Sequence, residues 1–171
     1  MRRGAAAAGS AVFFALAPGT FAGLVPWLLT GWRMRHPEPY GVVPRAVGVV
    51  LVVAGAAVLV HAFARFVMEG VGTPAPVAPT ERLVVGGLYR HLRNPMYVAV
   101  VTCVMGQALL LSREVLWVYA IGLMALFYAF VRGYEEPTLR MQFGSEYEAY
   151  RRAVPGWHPR VRPARLPRAT S

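Results

Sequence analysis

The sequence predicts an all-α, polytopic membrane protein with about four transmembrane helices and short cytoplasmic-side helices near its C-terminus. Of the 171 residues 56% are hydrophobic, yet the formal net charge is +10. The charged residues stand in clusters between long apolar runs. A soluble domain rarely combines these properties, whereas membrane proteins separate apolar and charged residues in this way.

Four windows of the chain contain no formally charged residue. They span residues 4–32, 46–64, 94–112 and 115–131. A helix needs roughly 20 apolar residues to cross a hydrocarbon core about 30 Å thick, so three windows are long enough and the fourth is marginal. Because lipid offers the backbone no hydrogen-bond partners, each window is expected to be helical. The first resembles a signal peptide but continues past Pro18, so we interpret it as a retained helix.

The arginines predict the orientation of the chain. With four crossings, the N-terminus, residues 65–93 and the C-terminal tail share one side of the membrane, and most of the arginines lie there. The other side holds only Arg33, Arg35, Arg45 and Arg113. Because positively charged loops stay in the cytoplasm, we expect a multi-pass protein of the inner (plasma) membrane with both termini cytoplasmic.

We interpret residues 1–155 as one membrane-embedded domain and residues 156–171 as a Pro- and Arg-rich tail without fixed structure. The charge of the tail is attributed to membrane topology and anionic lipid, and no nucleic-acid partner is expected. The single cysteine, Cys103, lies in an apolar run, so no metal site is predicted and a packing role is favoured. The exclusive use of Arg and Glu as charged residues is typical of GC-rich bacterial genomes.

The segment GGLYRHLRNPMYVAV, residues 86–100, predicts a helix that starts at the cytoplasmic membrane surface. Asn94 suits the N-cap and Pro95 suits the first helical position. The backbone N–H groups and the positive dipole end of this helix, together with Arg90 and Arg93, would attract a carboxylate or phosphate. Two interpretations stay open, because the same arginines would also anchor the helix to lipid headgroups.

Glu135 and Glu136 directly follow the fourth window. Two carboxylates at a helix C-terminus oppose the helix dipole at a cost of about 0.3–1 kcal/mol each. Since local violations of this kind often mark function, the pair is a candidate to hold ribose hydroxyls or an ammonium group, or to stabilise a positive sulfur. The alternative is a simple surface charge cluster.

The residues after this pair predict two short amphipathic helices. Pro137 is expected to open the first and Gly144 to close it. Tyr147 and Tyr150 share one face of the second helix, where anchoring at the membrane interface is favoured over covering a ligand.

The second window contains two further features. His61 and Arg65 lie four residues apart near its cytoplasmic end, where ionisable residues are functional suspects, although Arg65 could snorkel and His61 could serve in packing. Gly48 and Gly55, on another face, predict a close contact between helices.

Two motifs in this order carry a family resemblance. LYRHLRNPMY is followed some forty residues later by YEEPTLRMQFGSEYEAY, and together they resemble the isoprenylcysteine carboxyl methyltransferase and phospholipid methyltransferase superfamily. The usual pattern is G-P-Y-x-x-x-R-H-P-x-Y and then E-E-x-x-L-x-x-x-F-G-x-x-Y-x-x-Y, so the match covers residues 86–150. The chain departs from it at three positions, with Leu88, Asn94 and Ala99 where the family often has Pro, His and Gly.

The resemblance implies a bacterial membrane enzyme that uses S-adenosylmethionine in a cytoplasmic-side pocket and methylates a lipophilic acceptor entering from the bilayer. The motif positions and the charges beside them give the expected cofactor-binding residues: Tyr89, Arg90, Arg93, Asn94, Pro95, Tyr97, Glu135 and Glu136. No catalytic residue is assigned, and His61 and His91 are weak candidates for a base. An NADPH-dependent membrane reductase of the sterol or steroid type and a non-enzymatic membrane scaffold are the alternatives.

Overall fold

The computed structural model describes residues 16–35, 39–70 and 83–164, and within these ranges it contains helices and no strand. The helices are α1 (Leu16–Thr30), α2 (Val42–Gly70), α3 (Pro95–Leu111), α4 (Glu114–Phe130) and α5 (Glu136–Ala153). A 3-10 turn at Gly87–Arg90 precedes α3, and π-helical stretches occupy Thr20–Leu24 within α1 and Val131–Glu135 between α4 and α5. The all-α prediction is confirmed for the described residues.

Two helices are long and apolar enough to cross a membrane. They are the Val42–Arg65 part of α2 and the continuous α4–α5 helix, Glu114–Ala153. α1 and α3 are also apolar but shorter. Many large apolar side chains of these helices, such as Val50 and Ile121, are exposed, as expected of surfaces that contact lipid. The structure therefore supports membrane association, and the four crossings stay a prediction.

Helices α2 and α3 approach each other at backbone contact distance. A Cβ atom at Gly48 would lie 2.7 Å from both the Gly106 oxygen and the Leu110 nitrogen, and one at Gly55 would lie 2.7 Å from Cys103 Sγ. No larger residue fits at either position without a shift of the helices, so the predicted close contact is confirmed. Cys103 is buried in this contact, which agrees with a packing role.

The helix that crosses the fourth window does not end before the glutamate pair, so that prediction was wrong. α4 continues through the π-helical stretch into α5, whose second residue is Pro137. Proline lacks the N–H group and crowds the carbonyl four residues earlier, and the wider π-helical turn accommodates it. Glu135 and Glu136 therefore lie inside a continuous helix, where the expected dipole penalty does not apply. Gly144 interrupts α5 with φ 51° and ψ −123°, at the predicted break.

Residues 154–164, here called the C-terminal strap, lie along the segment that precedes α3. Three backbone hydrogen bonds join the two segments: Arg93 N–H to the Pro155 oxygen (2.9 Å), Arg160 N–H to the His91 oxygen (3.0 Å) and Ala164 N–H to the Arg90 oxygen (2.9 Å). Residues 156–164, which the composition assigns to a tail without fixed structure, thus make specific contacts. Composition could not indicate them because they join distant parts of the backbone. Residues 165–171 lie outside the described residues.

Candidate functional site

The candidate site is centred on the first turn of α3. The helix begins at Pro95 with Asn94 as its N-cap residue, as predicted, but the Asn94 side chain makes no capping hydrogen bond. Its Nδ2 atom is buried and has no hydrogen-bond partner among the described residues. A buried donor without an acceptor costs about 1–3 kcal/mol, so this amide is a candidate donor to a bound ligand. Gly156 of the strap lies beside it.

Arg93 joins the two motifs and the strap. Its Nη1 donates to Glu136 Oε1 and to the Tyr147 hydroxyl, both at 3.0 Å, and its Nε donates to the Val154 oxygen at 2.9 Å. The side chain of Arg93 is 12% exposed and that of Glu136 only 4%. The two sequence motifs therefore meet through a buried ion pair. Because Arg93 is engaged by protein groups, the structure gives it a positioning role, and its direct contact with a cofactor stays a prediction.

Glu136 also faces three further guanidinium groups. Its Oε2 atom lies 3.3 Å from Arg132 Nη1, 3.7 Å from Arg140 Nη2 and 3.6 Å from Arg151 Nε. A buried carboxylate is expensive unless it is paired, and these arginines supply the pairing. Glu136 thus acts first as the anion that holds α5 to Arg93, which lies just before the start of α3.

Glu135 and Tyr97 form a second link between the motifs. The Tyr97 hydroxyl donates to Glu135 Oε2 at 2.8 Å. Glu135 lies beyond the charge-free window and is partly exposed, unlike Glu136. Trp157 of the strap packs against Tyr97 and Tyr128, with ring centroids 6.4 Å and 5.7 Å apart.

Tyr89 and Arg90 fix the 3-10 turn to its surroundings. The Tyr89 oxygen accepts a hydrogen bond from the Tyr150 hydroxyl at 2.8 Å. Arg90 donates from Nε and Nη2 to the Ala164 oxygen at 3.0 and 2.9 Å. Both residues therefore connect the start of α3 to α5 or to the strap, and their contact with a cofactor stays a prediction.

The interpretation of Tyr147 and Tyr150 as anchors at the membrane interface was wrong. Both side chains are buried, and their hydroxyls contact Arg93 and the Tyr89 oxygen. An amphipathic pattern could not separate a buried face from an interfacial one, although the family pattern contains both tyrosines.

His61 and Arg65 lie against Gly87 at the start of the 3-10 turn. A Cβ atom at Gly87 would lie 3.2 Å from His61 Nε2 and 3.1 Å from Arg65 Nε. Gly87 also has φ +54°, a conformation that favours glycine. The end of α2 thus packs on the turn before α3, and a functional role for His61 or Arg65 stays a prediction.

The sequence patterns indicated Arg132 beside the glutamate pair but not Arg140 and Arg151, nor the strap residues Gly156 and Trp157. Arg140 and Arg151 lie on α5 at spacings that a surface charge pattern also shows, and the strap has no motif that marks its partners. Within the described residues, no group of three or more His, Cys, Asp or Glu is placed to hold a metal ion.

Comparison with known proteins identifies the family. A family model described as phospholipid methyltransferase matches residues 43–146, which is more than half of the chain. The matched range contains both links between the motifs, Arg93–Glu136 and Tyr97–Glu135, and ends before the strap. Neither a curated protein nor a solved structure matches the chain. The chain belongs to the phospholipid methyltransferase family, within the isoprenylcysteine/phospholipid methyltransferase superfamily that its motifs resemble.

Proposed function

We propose that this chain is an integral membrane methyltransferase that uses S-adenosylmethionine and methylates a lipophilic acceptor. Family membership supports the methyltransferase class. The observation that carries the proposal is the junction of the two motifs at the start of α3, where Arg93 binds Glu136 and Tyr97 binds Glu135. In this proposal α1 and α3 are the two shorter membrane crossings and both termini face the cytoplasm.

The groups at this junction fit the chemistry of the cofactor. S-adenosylmethionine carries a carboxylate, an ammonium group, a ribose and a sulfonium. The buried Asn94 amide donor and the positive dipole end of α3 suit a carboxylate. The Glu135 carboxylate, which accepts the Tyr97 hydrogen bond, suits an ammonium group or the ribose hydroxyls. When bound, the cofactor supplies a methyl group activated by the positive sulfur.

The chain contributes binding and alignment. Methyl transfer is an in-line displacement, so its rate depends on holding the two reactants at the correct distance and angle. The buried Arg93–Glu136 pair fixes α5 against the start of α3. Trp157 covers one side of Tyr97 and reduces the access of water. We assign no general base: a carboxylate or thiolate acceptor needs none, whereas an amine acceptor would first have to lose a proton, for which His61 and His91 are the candidates.

An apolar groove between α1, α2 and α3 supports a lipophilic acceptor. Its volume is about 390 Å³, and its lining residues are nearly all apolar, including Ala22, Val52, Leu59 and Cys103. Cys103 lies six residues after Tyr97 on α3, which is about 9 Å along a helix that rises 1.5 Å per residue. A hydrocarbon chain in this groove would direct its polar end toward Tyr97.

Titration calorimetry on the purified protein in detergent tests the cofactor class. We expect S-adenosylmethionine and S-adenosylhomocysteine to bind with micromolar-range affinity and NADPH to give no binding heat. Binding of NADPH alone would indicate the reductase, and a folded sample that binds none of the three would indicate a scaffold. Either result contradicts the proposal.

Two tyrosines allow a matched test of the site. The Tyr97 hydroxyl donates to Glu135 at 2.8 Å, and the Tyr119 hydroxyl on α4 donates to the Phe21 oxygen at 2.9 Å. Tyr97→Phe should lower the affinity for S-adenosylhomocysteine about tenfold, or about 1.4 kcal/mol. The reason is that the hydrogen bond that orients the Glu135 carboxylate toward the ligand is lost. Tyr119→Phe should leave the affinity unchanged. Equal losses in the two variants would contradict the assigned site.

A further inference from the structure

The surface around Glu136 carries more positive than negative charge. Arg132, Arg140 and Arg151 lie within 4 Å of one oxygen, Glu136 Oε2. Arg93 binds the other oxygen, Oε1. Within the described parts of the chain, Glu148 is the second carboxylate paired with this group, at 2.7 Å from Arg140 Nε and 3.8 Å from Arg151 Nη1. Four guanidinium groups therefore share two carboxylates.

The excess positive charge is accessible. The side chains of Arg132, Arg140 and Arg151 are 50%, 40% and 31% exposed, whereas the Arg93–Glu136 pair is buried. If the buried pair is counted as neutral, three accessible guanidinium groups face one accessible carboxylate, that of Glu148. Each guanidinium has five N–H donors, and the ion pairs made by these three engage only one or two nitrogens of each. Donors are left for a ligand with several acceptor oxygens.

The position of the cluster indicates where such a ligand comes from. Arg132 is the first residue after the charge-free window of α4, so the cluster lies at the depth of lipid headgroups. Phosphate oxygens suit the planar fork of arginine, which binds them in a bidentate manner. A cationic headgroup amine would be repelled by the same arginines.

We propose that Arg132, Arg140 and Arg151 form a binding site for the phosphodiester of a membrane lipid with a net negative charge. The three arginines surround the Glu136 oxygen that Arg93 does not bind. Their ion pairs among the described residues do not include Tyr97, Glu135 or Asn94. The proposal goes beyond methyl transfer and does not depend on it, so either can fail without the other.

Thermal unfolding in mixed micelles tests this site. We expect phosphatidylglycerol to raise the Tm of the purified protein and phosphatidylcholine at the same mole fraction to leave it unchanged, since only the first carries a net charge. The Arg132→Gln/Arg140→Gln variant should lose this shift and should retain fewer phosphatidylglycerol molecules in native mass spectrometry. Should the double variant fail to fold, Arg132→Gln alone, at a half-exposed position, should reduce both signals.

Arg35→Gln is the matched control. The Arg35 side chain is 49% exposed and pairs with Glu114 at the opposite end of α4, so its loss should leave the lipid response intact. Three results would overturn the proposal: an equal Tm shift with phosphatidylcholine, an equal shift with inorganic phosphate, or an unchanged phosphatidylglycerol response in the arginine variants. A shift with inorganic phosphate would identify a soluble anion as the ligand.

Discussion

Two parts of this chain share one backbone irregularity and use it differently. The π-helical stretches Thr20–Leu24 and Val131–Glu135 are each followed by a proline two residues after their end, Pro26 and Pro137. Proline removes one N–H group and crowds the carbonyl four residues earlier. The same local cause therefore accounts for both wide turns.

In the first stretch, side chains from other helices donate hydrogen bonds to backbone carbonyl oxygens. Ala22 lies four residues before Pro26, so its oxygen loses the usual donor, and Gln107 Nε2 of α3 donates to it at 2.7 Å. The Tyr119 hydroxyl of α4 donates to the neighbouring Phe21 oxygen at 2.9 Å. These contacts complete the backbone hydrogen bonding of α1, as an apolar environment requires.

In the second stretch, the wide turn presents acidic side chains. Consecutive residues of a regular helix diverge by about 100°, yet Glu135 and Glu136 both reach groups at the start of α3, Tyr97 and Arg93. A wider turn has more residues per turn, so consecutive side chains diverge less. A π-helical turn is thus structural where neighbouring side chains bond its carbonyls, and it forms a candidate site where it aligns polar side chains.

The largest effect is expected in the second stretch. Glu136→Gln leaves Arg93 buried without its anion and should lower the free energy of unfolding by about 3–5 kcal/mol. Glu114→Gln is the control, because that glutamate pairs with Arg35 in an exposed position, and its loss should cost less than about 1 kcal/mol. Unfolding by SDS titration in mixed micelles measures both. Similar losses in the two variants would contradict the central role of the buried pair.

Local sequence signals predicted the elements that depend on local causes. Asn94-Pro95 marked the start of α3, Gly144 marked the break in α5, and Gly48 and Gly55 marked the contact between α2 and α3. Each follows from the geometry of one residue and its helix, so no knowledge of distant partners was needed.

Features that depend on distant partners were predicted only in part, because the family resemblance placed both motifs at one pocket without giving their contacts. The charges of Arg93 and Glu136 allow them to pair with each other or with a ligand. Only the position of α5 shows that they pair with each other. The sequence did not predict that α4 continues past Val131, because an apolar run followed by two glutamates is also typical of a helix end. The strap is held by backbone hydrogen bonds, and because every residue has backbone groups, no sequence pattern marks its partners.

A smaller effect is expected in the first stretch. Gln107→Leu removes the donor to the Ala22 oxygen and should cost about 0.6–2 kcal/mol, the range found for hydrogen bonds between membrane helices. The affinity for S-adenosylhomocysteine should not change, because this contact is structural. Pro26→Ala restores an N–H group that can serve Ala22, so the loss caused by Gln107→Leu should shrink in that background. Additive losses in the double variant would show that proline does not cause the missing bond.

The smallest effect on the free energy of unfolding is expected from two threonines, one near each π-helical stretch, which differ in their exposure to water. Thr30 and Thr138 each donate a hydroxyl hydrogen bond of 2.7 Å to the carbonyl four residues earlier, and Thr30 also accepts one from Trp32 N–H. Thr30 is buried, so Thr30→Val leaves the Trp32 N–H without its acceptor and should cost about 1 kcal/mol. Thr138 bonds at an exposed position where water replaces the lost partner, so Thr138→Val should change the free energy of unfolding by less than about 0.5 kcal/mol. Equal losses of unfolding free energy in SDS titration would mean that water does not reach the second stretch. A turn closed to water on this side could not present Glu135 to a ligand from the aqueous phase.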